Sequence, residues 1–190
     1  MIGKLLKSLP ARSLPVAGLF LAGLVAASTL SAHEMRTVGP KGEYNLVVGW
    51  FIEPAFTDVV NAVDIRVIRI ADKKAIDTSK GDVVDLEVEV QYRSGEDEKA
   101  TVLDSMKLAN RPTLTFGTEN RYATWFKPVR SGAYAFRIKG KISDASDPKA
   151  GPVTIDETFV CGKGGHHHAF VCLEEPQIFP AAPPKPAKSQ

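Results

Sequence analysis

The residue types most able to do chemistry gather in two places. The stretch Cys161-Gly162-Lys163-Gly164-Gly165-His166-His167-His168-Ala169-Phe170-Val171-Cys172 holds both cysteines and three of the four histidines. The fourth histidine, His33, directly follows a stretch with the pattern of an export signal. Neutral imidazole suits copper, zinc and nickel. Adjacent strand residues point to opposite faces, so His166, His167 and His168 can serve one ion together only on an irregular loop. Gly162, Gly164 and Gly165 permit such a loop. The competing reading is a solvated loop tip whose histidines bind nothing, since a His-rich tract is a compositional signal.

His33 gains its chemistry from its position. If the chain is cut after Ala32, the new α-amine and the His33 ring nitrogen can chelate one metal, because an α-amine gives up its proton more readily than a lysine. Copper(II), with its tetragonal preference for nitrogen, suits that pair, and Met35 would add a soft donor for copper(I), with Glu34 a further oxygen. A cut after Ala27 or Ser28 would bury the chelate inside the chain. The alternative role for His33 is a frayed terminal residue.

The cut itself is expected from a three-part pattern. Lys4, Lys7 and Arg12 precede an uncharged apolar run, Val16 to Ala27, and small residues follow up to Ala32. That is a secretory signal peptide over residues 1–32. The apolar run is shorter than the roughly 20 residues of a membrane span, and no second run of spanning length follows, so no membrane span is expected after signal removal. Removing the signal takes three positive charges with it and leaves a chain that is slightly acidic by formal count. No basic patch argues for nucleic acid. The expected location is periplasmic or secreted, where two cysteines form a disulfide, Cys161 to Cys172; two thiolate metal ligands are the less favoured use.

Strand signals dominate the elements that must position these residues. Tyr44, Leu46, Val48 and Trp50 alternate, with Val47 and Phe51 apolar on the other face, so this strand is expected to be central. Glu53-Pro54 breaks it. Val63, Ile65 and Val67 alternate with Asp64 and Arg66, which puts Asp64 on a wet face. Val84 to Tyr92 gives the cleanest alternation. Thr101 to Leu108, Pro112 to Phe116, Tyr122 to Phe126, Tyr134 to Ile138 and Val153 to Phe159 complete the set. Glu157 shares the phase of Ile155 and Phe159 and would need a cationic partner, with Arg137 the candidate. Both tryptophans, Trp50 and Trp125, are expected in the core by their burial habits.

The fold class is all-β, an antiparallel immunoglobulin-like β-sandwich of about seven strands. An N-terminal arm (33–42) precedes the sandwich (43–173), and a Pro-rich disordered tail (174–190) follows. The phrase Gly132-Ala133-Tyr134-Ala135-Phe136 resembles a strand entry of immunoglobulin-like sandwiches, where a tyrosine bonds back to the corner it follows. The stretches Val47-Val48-Gly49-Trp50, Glu53-Pro54-Ala55-Phe56, Asn61 to Val67 and Asp156 to Cys161 resemble small exported bacterial immunoglobulin-like proteins, distantly similar to copper-resistance-type periplasmic proteins. That resemblance implies a copper-binding or carrier protein with His33 as a ligand. No nucleophile elbow, phosphate loop or zinc-protease helix is present, so no enzyme is expected. The expected partners are a metal ion, possible copper being the named cofactor, or another envelope protein that a non-enzymatic interaction module would dock on.

Overall fold

A computed structural model describes residues 33–115, 120–147, 149, 151–162 and 169–175. The expected signal peptide over residues 1–32, the histidine triplet and the residues after Glu175 lie outside these. Among the described residues the strands are β1 (His33–Val38), β2 (Tyr44–Trp50), β3 (Asn61–Arg69), β4 (Val83–Arg93), β5 (Val102–Lys107), β6 (Thr113–Leu114), β7 (Tyr122–Phe126), β8 (Ala133–Ser143) and β9 (Val153–Val160). A single turn of 3-10 helix, Thr78–Lys80, is their one helical element. No described helix is long and apolar enough to cross a membrane.

Two antiparallel sheets form, one ordered β1-β2-β3-β7-β6 and the other β5-β4-β8-β9. Pairs of strands alternate between the sheets along the chain. Without β1, the order matches the immunoglobulin arrangement, with β2, β3, β7 and β6 facing β5, β4, β8 and β9. The sandwich expectation holds, with more strands than the seven expected.

Alternation sets which faces meet. Tyr44, Leu46, Val48 and Trp50 from β2 and Val63, Ile65 and Val67 from β3 point inward and are buried. Across from them stand Leu86, Val88 and Val90 of β4, Phe136 and Ile138 of β8, and Ile155 and Phe159 of β9. Trp50 is the centre of this core. Its ring meets Phe136 at 4.9 Å, Tyr134 at 5.7 Å, Phe126 at 5.8 Å and Phe170 at 6.2 Å. A buried indole must also satisfy its N–H, and Trp50 Nε1 donates to the Val171 carbonyl at 2.8 Å. Tyr134 Oη donates to the Arg130 carbonyl at 2.9 Å, which closes the expected tyrosine corner.

Cys161 and Cys172 are joined as a disulfide. Phe170, inside that loop, stacks on Phe136 at 4.8 Å. Leu173 pairs with Gly132, and Glu174 pairs with Phe56, so the chain stays tied to the sandwich past the expected boundary at residue 173.

The expected arm is the largest departure. Residues His33–Val38 form β1, which pairs with β2 along its length. Gly39 and Gly42 turn the chain between them with φ of 97° and 68°, values that a side chain disfavours. Two of the three inward-facing positions of β1, Glu34 and Arg36, are charged, and the third, Val38, joins the core. Glu34 is buried and accepts from Arg36 Nε at 2.5 Å. Arg36 also donates to Glu98 at 2.9 Å, lies 3.8 Å from Glu157 and sits over the Phe159 ring. Arg36 thus ties the extra strand to the opposite sheet. It also replaces Arg137 as the partner of Glu157. Arg137 instead grips Asp156 with two hydrogen bonds, at 2.9 and 3.1 Å.

Two substitutions test these ties. Replacing Cys161 and Cys172 together by serine should cost about 3 kcal/mol, the loop-closure value for so short a loop. Tyr134→Phe should cost about 1 kcal/mol through the lost corner bond. Urea denaturation of each variant against the parent measures both.

Candidate functional site

Strand register brings three residues into one row on the outer face of the five-stranded sheet. His33 pairs with Gly49, and Gly49 pairs with Asp64 on the next strand. Directly paired residues of antiparallel strands share a face. Because Gly49 has no side chain, nothing stands between the imidazole of β1 and the carboxylate of β3. The ring crosses the gap, and His33 Nε2 lies 2.7 Å from Asp64 Oδ2.

Arg121, just before β7, closes the other side. Its Nε reaches both Asp64 oxygens at 3.0 Å, and a terminal nitrogen lies 2.9 Å from Oδ2. The same guanidinium donates to the Phe51 carbonyl at 3.1 Å and lies 4.0 Å over the Phe51 ring. Arg66, from β3 itself, adds a contact to Asp64 at 3.4 Å. Asp64 has 0% of its surface exposed. Its place on the outer face was legible from the alternation; its burial was not, because the groups that cover it come from distant parts of the chain.

Burial alone would raise the Asp64 carboxyl. The hydrogen bonds from His33 and Arg121, with their charges, outweigh that and hold it below the usual aspartate value. An ionised carboxylate only accepts hydrogen bonds, so Nε2 of His33 carries the proton in this contact. The remaining ring nitrogen, Nδ1, is the one nearest the residue's own backbone amine. A carboxylate that fixes imidazole tautomer in this way is the usual support behind a metal-binding histidine.

Glu53 extends the cluster. Its carboxyl is pushed up, first by burial, with His33 pulling it down and Asp64 pushing it up. Its Oε1 is buried, with no hydrogen-bond partner among the described residues. A cation beside it would restore the interaction that water no longer supplies. Phe51 and Trp125 border the cluster, with ring centres 5.1 Å apart. Trp125 is 48% exposed, contrary to the expected core position. Its register partner is Ala62, which places it on the outer face.

The expected ligands fare differently. Met35 shares the outer face with His33, two positions along β1, and is 56% exposed. Glu34 faces inward, bound to Arg36, and offers His33 no oxygen on its own face. His166, His167 and His168 lie outside the described residues. The base of their loop is at the His33 end of the sandwich: Trp50, next to the Gly49 that pairs with His33, bonds to Val171. Among the described residues no three His, Cys, Asp or Glu side chains group so as to hold a metal. No family model, curated protein or solved structure matches this chain.

Asp64→Asn should cost about 3 kcal/mol, because it leaves the part-buried Arg121 charge without its counter-charge. The pH dependence has a definite sign. A carboxyl held low in the fold stabilises fully at neutral pH, and that contribution fades as pH falls below about 4. The parent should therefore lose more stability between neutral pH and acid than Asp64→Asn does. Denaturation midpoints taken across that range measure the difference.

Proposed function

We propose that this chain is an exported, non-enzymatic copper-binding or carrier protein whose metal sits at His33 on the outer face of the five-stranded sheet. The observation that carries the reading is the 2.7 Å contact of His33 Nε2 with a fully buried, arginine-clamped Asp64. That contact commits Nε2, and the chelating pair is then Nδ1 and the α-amine released when the signal is removed after Ala32. Two nitrogens from one residue favour copper(II).

The remaining donors follow from position. Glu53 supplies an oxygen with no hydrogen-bond partner among the described residues. Met35 supplies a thioether on the same face, suited to copper(I). The triplet His166–His168 supplies imidazoles from a loop rooted at the same end of the fold. Asp64 itself, held by arginine, orients the ring and is not a ligand. A carrier role in the periplasm or outside the cell fits an ion held at an open face, because the ion can leave from there to another protein.

A second reading rests on a different observation. Trp125 and Met35 are exposed on the same sheet face, and exposed aromatic and methionine side chains are enriched at protein interfaces. That face would then dock on another envelope protein, and Trp125→Ala would abolish docking while chelators would not.

The deciding measurement is calorimetric titration with copper(II) on protein whose first residue is proved by mass to be His33. One equivalent should bind. His33→Ala should abolish it, and acetylation of the His33 α-amine should have the same effect by removing that nitrogen as a donor. Glu53→Gln should weaken binding by about tenfold. Absence of stoichiometric binding to the correctly cut protein would sink the reading.

A further inference from the structure

The sandwich is open along one side. Strand β5 is an edge strand exposed along its whole length, and Met106, though paired with the buried Val90, is 50% exposed. A cleft of 210 Å³ lies behind it, floored by Val90, Tyr92, Phe126 and Tyr134 and walled by the segment Lys127 to Arg130. Asp104 and Arg130 face each other across its rim at 3.5 Å. Pockets for drug-sized ligands run about 300–1,000 Å³. This cleft is smaller and suits one or two large apolar side chains.

The chain supplies such side chains close by. Leu173 pairs with Gly132 by two backbone hydrogen bonds. Glu175 then accepts from Ser131 Oγ at 3.2 Å. The last described residues thus run antiparallel to the loop before β8 and head toward Arg130, Val129 and Pro128. These form the cleft wall, and Val129 is 64% exposed. The sequence that follows is Pro176-Gln177-Ile178-Phe179-Pro180. It holds the only large apolar residues after Leu173. Phe179 is four residues beyond Glu175, a reach of about 13 Å when extended. Two prolines bracket the pair and reduce the freedom lost on docking.

We propose that this cleft is the docking site for the chain's own C-terminal segment, with Phe179, backed by Ile178, inserted against Met106, Tyr92 and Phe126. The inference is independent of the copper reading.

Methionine methyl groups test it directly. After signal removal the chain holds two methionines, Met35 and Met106. In full-length mature protein with carbon-13 labelled methionine methyls, Phe179→Ala should move the Met106 resonance and leave that of Met35 in place. The parent should also give a nuclear Overhauser contact between the Met106 methyl and the Phe179 ring, unchanged on dilution. An unmoved Met106 resonance would overturn the proposal. So would a Met106 shift that depends on protein concentration, because the occupant would then be the segment of a second copy.

Discussion

A carboxylate with no exposed surface must be matched by positive charge, and on the outer face of this sheet that requirement organises everything near Asp64. The charge comes from Arg121, 57 residues further along the chain, and from the ring of His33 at the start of the first described strand. Neither contact is possible unless β1, β2, β3 and β7 are in register, so satisfying Asp64 and assembling the sheet are one event. Removing one partner from such a cluster is costly because the others are left charged and desolvated. The same constraint orients the imidazole, and this joins the stability of the sheet to the chemistry proposed for its first residue.

The inner side of β1 solves a different problem. Its apolar complement is small, since Glu34 and Arg36 occupy the positions that would ordinarily carry valine or leucine. Arg36 answers for both by meeting acids from β1, the β4–β5 loop and β9 while its planar group covers Phe159. An arginine can do this because its fork presents several donors and its flat face packs on a ring. The edge of the sandwich is thereby held by a mixture of charge and stacking.

How far the sequence could be read follows from these two faces. Strands β2, β4, β8 and β9 announce themselves by alternation, because most of their inward positions are apolar. The tyrosine corner and the disulfide are equally local. Strand β1 does not announce itself, since His-Glu-Met-Arg-Thr-Val has charges at two of its three inward positions and period-2 hydrophobicity fails there. Asp64 could be placed on the outer face by phase, yet its burial depends on His33 and Arg121, separated from it by 31 and 57 residues. Trp125 was assigned to the core by residue type, whereas its pairing with Ala62 turns it outward. In each case the missing information is which strand lies beside which, and no local pattern contains that. The one usable hint was Gly49, a glycine inside a strand, which often marks a close approach from a neighbour.

The hairpin of β1 and β2 has one further consequence. A chain terminus ordinarily moves freely, and any ligand it binds must first immobilise it. Here the backbone of His33 is already held by its pairing with Gly49, and its ring is already turned by Asp64. The entropy of ordering this residue is therefore lost during folding and not during capture of an ion. The ion proposed to bind after a cut at Ala32 would meet donors that are fixed in advance, so that its association could be tight with few ligands.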